Sequence, residues 1–250
     1  MKREYAREYR ELYERHWWWR AREALLLGEL QRRQPPRGWG TILDVGCGDG
    51  LLFERLAPFG TVRGVEPDAD LVSPTGPHRA HIEVAPFNAA YRPGRRFRLI
   101  LMLDVLEHMS DPAGALRHAA TLLEPGGWLL ATVPAFRALW TAHDDFNAHL
   151  ERYTVASFHR LAARGGFEVV SARYLFHWLF PVKLAVRAAE AAMPGRAKPA
   201  RVPPNWLNTG LRRLSLAEAR WLGWARLPFG TSVLAWCRPL ALAEAEGDGI

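Results

Sequence analysis

Between residues 41 and 174, short apolar runs alternate with stretches in which apolar side chains return every three or four positions. Short runs bounded by turn residues suit buried strands, and three-to-four spacing lays one apolar stripe along a helix. The pattern predicts strands at 41–45, 61–65, 80–84, 97–103, 128–133 and 167–174. Helices are expected to fill the gaps, at 51–57, 111–123 and 154–164 among them. Asp111 followed by Pro112, and Thr154, supply helix starts, and Gly165-Gly166 a stop. Such alternation specifies an α/β core around a parallel sheet.

The flanks differ from this core. Residues 4–33 read as a helical arm rich in Arg and Glu, with Tyr5, Tyr9, Leu12, Tyr13, Trp17 and Leu25 recurring mostly at helical steps. Pro35-Pro36-Arg37-Gly38 breaks that helix. Beyond Tyr174 come an apolar helical stretch near 177–193, a proline-rich linker at 194–204, a second helix near 207–227 and a last strand at 231–238. The chain therefore divides into a helical cap (1–38), the α/β core (39–174), a helical insertion (175–230) and a closing strand with its tail (231–250).

Composition narrows the class. With 250 residues, 49% hydrophobic and 24% charged, the chain can bury a sizeable core, which excludes disorder and collagen. Cys47 and Cys237 stand too far apart to suggest a disulfide framework or a metal cluster. The N-terminus is charged and no apolar run follows, so neither a secretory signal nor a spanning helix is expected to start the chain, and the expected compartment is the cytoplasm. The net charge of +7 would suit nucleic acid or an anionic membrane. Its arginines are scattered and often stand beside Glu, as on a solvated helix face, which disfavours nucleic acid.

The most informative segment is Leu43-Asp44-Val45-Gly46-Cys47-Gly48-Asp49-Gly50, a strand running into a glycine-rich turn. Without Cβ atoms the backbone can take positive φ and approach a ligand, at the carboxyl edge where parallel strands open a crevice. A dinucleotide fingerprint needs its third glycine one residue later, where Leu51 stands, so pyrophosphate is disfavoured. Asp44 and Asp49 would repel a polyanion and attract an ammonium or sulfonium. Glu66, in Gly64-Val65-Glu66-Pro67-Asp68, ends the second strand, where a carboxylate can accept two ribose hydroxyls; helix capping is the alternative there.

Four segments, LDVGCGDG (43–50), GVEPD (64–68), LMLDVLEH (101–108) and LLEPGGWLLATVP (122–134), resemble the successive motifs of class I S-adenosylmethionine-dependent methyltransferases. The resemblance implies a Rossmann-like fold with a seven-stranded mixed sheet whose last strand is antiparallel. It implies S-adenosylmethionine as cofactor, with Asp44, Gly46, Cys47, Gly48 and Gly50 around its methionine part, Glu66 on the ribose and Pro67 beside the adenine. Asp104 and His108 would complete the methionine side, near Glu107. The acidic residue that usually meets the adenine amino group is missing after the third strand, where Ala85, Pro86 and Phe87 stand, so stacking on Phe87 or backbone contact would replace it. The segments HWWWR (16–20) and HDDFNAHLERY (143–153) are similar to a bacterial subgroup associated with sugar or glycolipid acceptors.

Methyl transfer from a sulfonium requires alignment, exclusion of water and, for a hydroxyl or ammonium acceptor, a base. The loop after the fifth strand opens at the same edge as the glycine turn. There His143 is the first candidate base, with Asp144 or Asp145 to orient it, and His149, Arg152 and Tyr153 as acceptor contacts; capping and surface roles compete for each. His143, Asp144 and His149 are too few for a metal site. Trp17, Trp18 and Trp19 can stack on an acceptor, hold a sulfonium or pack in the core, and the stretch 174–193 can rest on a membrane or a lipid-linked acceptor or be buried. The sequence thus reads as an O- or N-methyltransferase for a small or lipid-linked, sugar-like acceptor. An NAD-dependent or nucleotide-sugar oxidoreductase or epimerase, a non-catalytic nucleoside-binding protein and an RNA methyltransferase are the rivals. Oligomeric state is not legible.

Overall fold

In the computed structural model, residues 10–192, 200–223 and 225–240 are described. Tyr5, Tyr9, Met193, most of the proline-rich linker and the tail after Leu240 lie outside the described residues. The chain runs α1 (Trp17–Arg33), β1 (Thr41–Val45), α2 (Phe53–Leu56), β2 (Thr61–Glu66), β3 (Ile82–Val84), β4 (Phe97–Leu103) and α3 (Pro112–Leu122). It continues through β5 (Leu123–Pro134), α4 (Ala142–Phe146), α5 (Val155–Arg164), β6 (Phe167–Leu175), α6 (Leu179–Ala192), α7 (Asn205–Leu222) and β7 (Ser232–Pro239).

The strands form one sheet in the order β3-β2-β1-β4-β5-β7-β6. β1 to β5 pair in parallel, and β7 is antiparallel to both β5 and β6. The carboxyl ends of β1, β2, β4 and β5 therefore share one edge. Alternate strand residues face opposite sides, so Leu43, Val45, Ile100 and Met102 enter one core while Ile42, Leu99 and Leu101 enter the other. Both faces are covered, as a parallel sheet requires.

α1 closes the second core. Trp39 and Trp236 stack there with ring centroids 5.5 Å apart, and Trp236 Nε1 donates to Glu29 Oε2 at 3.1 Å. Arg173 pairs with Glu29 Oε1 at 2.6 Å. Burial opposes the Glu29 charge, but Arg173, Arg32 and the indole N–H outweigh it and hold the pKa below the ordinary value.

Several boundaries differ from the sequence reading, for local reasons. The arm is not continuous: residues 10–15 are helical, and His16, extended at φ −75° and ψ 135°, caps α1 by accepting from Trp18 N. The helix expected at 51–57 shortens to Phe53–Leu56 because the glycine turn ends in successive turns, with Gly50 N on the Cys47 carbonyl and Phe53 N on the Gly50 carbonyl. Between β2 and β4 no α-helix forms, only short turns at 69–71 and 79–81 and the three-residue β3. Pro67, Pro74, Pro77, Pro86 and Pro93 deny that stretch helical donors. β5 begins five residues early, at Leu123: Leu123 pairs with Phe97 and Trp128 with Leu99, so Pro125, Gly126 and Gly127 are absorbed as a bulge.

Gly64 shows how tightly the glycine turn is seated. A Cβ there would lie 2.3 Å from Cys47 Sγ and 2.7 Å from Phe53 Cζ. Gly64→Ala should therefore lower stability by about 1–3 kcal/mol, read as a lower urea midpoint at unchanged slope. Adding Cys47→Ala should recover part of the loss.

Candidate functional site

The glycine turn is built for close approach of a ligand. Gly46, Gly48 and Gly50 have φ of +70°, +52° and +71°. At Gly46 a Cβ would collide with Val105 Cγ2 at 2.8 Å, whereas at Gly48 it would meet nothing within 4 Å. Gly48 thus faces an open space that only a side chain or a ligand would fill. Cys47 points the other way, against Gly64, and burial raises its pKa, so it is a packing residue rather than a nucleophile.

Buried Glu66 ties the turn to the end of β2. Its Oε2 accepts from Gly48 N at 2.9 Å and its Oε1 from Asp68 N at 3.0 Å. Burial raises its pKa and the two N–H bonds oppose that rise. Each oxygen keeps a lone pair for a further donor, which suits a vicinal diol. Asp44 is buried beside it; burial pushes its pKa up to about 7, with Arg22 opposing and Glu66 adding to the rise. Pro67 stands exposed at the rim. Phe87 is 8% exposed and packs against Tyr91 and His118 at 5.7 and 5.2 Å, so its ring belongs to the core.

Asp104 follows β4 with φ +57°, an uncommon conformation for a non-glycine residue. Its N–H reaches the Thr132 carbonyl at 2.9 Å, and Thr132 Oγ1 donates to its Oδ1 at 3.1 Å. Its Oδ2 pairs with Arg22 of α1 at 2.7 Å. Asp49 accepts from Ser73 N at 2.9 Å and pairs with Arg10, so it serves the loop and the arm. Through Arg10 and Arg22 the N-terminal arm is fastened across the mouth at two carboxylates. Neither arginine carries a local motif, so the sequence offers no signal for them.

The three tryptophans divide their roles. Trp17 is buried against Trp178 at 5.5 Å; Trp18 lies near Phe176 at 6.1 Å and under the Arg22 guanidinium at 5.7 Å; Trp19 meets His16 and Trp18 edge-on. Trp18 is thereby joined through Arg22 to the Asp104 side of the mouth.

A second group lies beside the first. Asp144, fully buried, accepts from Thr141 N at 2.9 Å and Arg152 Nε at 2.7 Å, and its Oδ1 lies 2.7 Å from His149 Nδ1. Burial opposes its charge, but the bonds with His149 and Arg152 prevail and hold its pKa well below the carboxylate range. The expected pairing of Asp144 with His143 is corrected: Asp144 turns inward to His149, while His143 stays exposed on the first turn of α4. Tyr153 is a core residue, with its hydroxyl 3.4 Å from the Leu106 carbonyl.

His149 meets the 101–108 segment. His108 and His149 stack edge to face at 4.8 Å, Leu150 N donates to the Glu107 carbonyl at 2.7 Å, and the ligand atoms of Glu107, His108 and His149 lie within 4.8 Å of one another. Glu107 is 1% exposed and neither carboxyl oxygen has a hydrogen-bond partner. Burial and then the Asp104 charge raise its pKa well above the ordinary value, which disfavours the charged form. Residues 104–108 thus join the cradle to the Asp144–His149 pair.

A family model described as a methyltransferase domain matches residues 4–172. The chain belongs to this family. Ubiquinone biosynthesis O-methyltransferase of Methylobacterium sp. (strain 4-46) is 37% identical over 103 residues, 36% of this chain and 39% of that protein. The protein of the same name from Coxiella burnetii is 33% identical over 124 residues, 46% of this chain and 47% of the relative. The chain matches less than half the length of these curated relatives. A Geobacter sulfurreducens S-adenosylmethionine-dependent methyltransferase, solved with S-adenosylhomocysteine, superposes with a TM-score of 0.50 at 15% identity, covering 87% of this chain and 90% of the other. The fold is therefore the Rossmann-like class I methyltransferase fold, and the family's cofactor is S-adenosylmethionine. The residues present fit it: open space at Gly48, a diol acceptor in Glu66, and Asp44 and Asp104 for cationic groups.

Asp44 gives this fit a pH signature. In the free protein its folded pKa is raised, so its contribution to stability is lost as pH rises towards 7. A cationic ligand favours the ionised form, so affinity should fall by up to about 25-fold as pH drops from 7.5 to 5.5. Calorimetric titration of S-adenosylmethionine across that range should show this, and Asp44→Asn should flatten the profile.

Proposed function

We propose that this chain transfers a methyl group from S-adenosylmethionine to an oxygen of a small molecule, with His149 as the base. The observation that carries the reading is the 2.7 Å contact between buried Asp144 and His149 Nδ1, next to the segment that closes the cradle. An ionised carboxylate on Nδ1 fixes the tautomer with Nδ1–H donating to it, which leaves Nε2 as a lone pair able to take the acceptor's proton. Asp144 also steadies the imidazolium that results. When bound, the cofactor supplies an activated methyl group, so the chain's task is to align the acceptor and exclude water.

An oxygen acceptor is supported by the names of the relatives. An acceptor with an apolar body is supported by the aromatic side chains past β5: Phe136 lies on Tyr174 at 4.8 Å and Phe180 at 5.5 Å, and Phe180 on Phe229 at 5.5 Å. These rings favour a lipid-linked or aromatic hydroxyl over a bare sugar.

The test is methyl transfer to phenolic and lipid-linked hydroxyl acceptors, followed by radiolabel from the cofactor. His149→Ala should lower kcat about 10²-fold or more and leave S-adenosylmethionine binding intact, while His143→Ala should change kcat little. Equal losses for both variants would remove His149 from the role. Gly48→Val should abolish cofactor binding with the fold retained by circular dichroism; normal binding by that variant would overturn the cradle.

A further inference from the structure

α6 is an apolar helix that packs on Phe136, Phe229 and the turn at 137–139 with one side and is left uncovered on the other. Only Lys183, Arg187 and Glu190 of its fourteen residues are charged, yet none of the fourteen is buried. Val182, Leu184 and Val186 are exposed. On α7 beside it in sequence, Trp206 and Trp221 are 77% and 69% exposed. They stand fifteen positions apart, about four helical turns, so they share one side of α7 with Arg213 and Arg220. Single exposed apolar residues are ordinary, but α7 is bonded through Glu218 to His177 and Trp178 at the start of α6, and two exposed tryptophans together with a half-bare apolar helix mark a surface that meets something.

Charge identifies what this surface meets. Its described segments carry Arg187, Arg201, Arg212, Arg213, Arg220 and Arg226, with Lys183 half-buried on the inner side near Arg152 and Asp144, against only Glu190 and Glu218. Both acids are turned to the protein: Glu190 accepts from Ala142 N at 3.1 Å, and Glu218 from His177 N and Trp178 N at 2.9 and 2.7 Å. Among the described residues, none of those six arginines has an ion-pair partner. Tryptophan and arginine around an apolar strip match the interface of an anionic bilayer, where the indoles sit at headgroup level and the guanidiniums pair with lipid phosphates.

We propose that the outer face of α6 and α7 adsorbs to an anionic lipid surface, with Trp206 and Trp221 entering the headgroup region. No helix among the described residues is long and apolar enough to cross a membrane, so attachment is peripheral. The face lies outside residues 4–172, the part matched by the family model. α6 also packs on the turn at residues 137–139 and bonds the first residue of α4, so adsorption would bring the His149 edge close to the lipid. The proposal does not depend on methyl transfer.

Sedimentation of the full chain with phosphatidylglycerol–phosphatidylcholine vesicles tests it. Binding is expected to the anionic vesicles at low salt, to weaken with added salt, and to be absent with phosphatidylcholine alone. Arg213→Glu/Arg220→Glu should lower the partition coefficient roughly thirtyfold or more. Trp206→Ser, at a site 77% exposed where folding is not at risk, should lower it as well. Unchanged S-adenosylmethionine calorimetry on the same samples separates this result from the fate of the methyltransferase reading. No binding to anionic vesicles, binding indifferent to both variants, or a dimer in light scattering that Trp206→Ser dissolves would overturn the proposal.

Discussion

The Glu66 carboxylate, placed between the main-chain N–H groups of Gly48 and Asp68, holds together the parts on which the site depends. It is buried at the end of one strand and bonded to the turn that leaves the next, so it sets how far β1 and β2 open at their carboxyl ends. An ionised group there would be costly without donors. Asp68 N, just past β2, supplies one, and the turn supplies the other because Gly48 adopts φ +52° and brings its N–H within reach. One hydrogen bond therefore links strand order, glycine placement and the acid that can receive a ribose. A parallel sheet produces this crevice wherever neighbouring connections diverge, and here the residues that line it are acidic.

The same edge collects charge from distant parts of the chain. Arg10 and Arg22 arrive from the arm and meet Asp49 and Asp104, while Asp44 and Glu107 stay buried behind them. The cap is therefore an electrostatic partner of the acid-lined turn as well as a packing element. Burial raises the pKa of Asp44, Glu66 and Glu107, and the charges of Arg22, Arg32, Arg152 and Arg173 act against burial wherever they approach a carboxylate. The contrast between Glu107, raised in pKa with no hydrogen-bond partner on its carboxyl oxygens, and Asp144, lowered in pKa among three partners, separates a carboxyl that fills space from one that orients an imidazole.

The insertion before the last strand extends the edge outward. α7 fastens to the arm where Asn208 accepts from Trp17 N and donates to the Arg15 carbonyl, each at 2.7 Å. Glu218 caps the start of α6 through His177 and Trp178. These bonds hold two helices whose outer sides stay uncovered, beside the segment that carries Asp144 and His149. The face proposed for lipid and the edge proposed for chemistry thus belong to adjoining elements.

Much of the core was legible in the residues. The sheet strands, the glycine turn and Glu66 follow from local signals, because alternation, positive φ and strand-end position are properties of neighbouring residues. The four motif segments pointed to the family for the same reason. Non-local pairing was not legible. The HDDFNAHLERY segment contains two histidines and two adjacent aspartates, and only the turn of α4 decides that Asp144 faces His149 and Arg152 rather than His143. The Pro125-Gly126-Gly127 segment looks like a turn until its pairing with β4 makes it a bulge. Arg10 and Arg22 become site residues only when the arm folds back over the sheet, and Phe87 and Tyr153 become core residues only when their elements pack. Spacing along the chain determined which backbone could approach a ligand; three-dimensional proximity alone decided which side chains would share a proton, a charge or a wall.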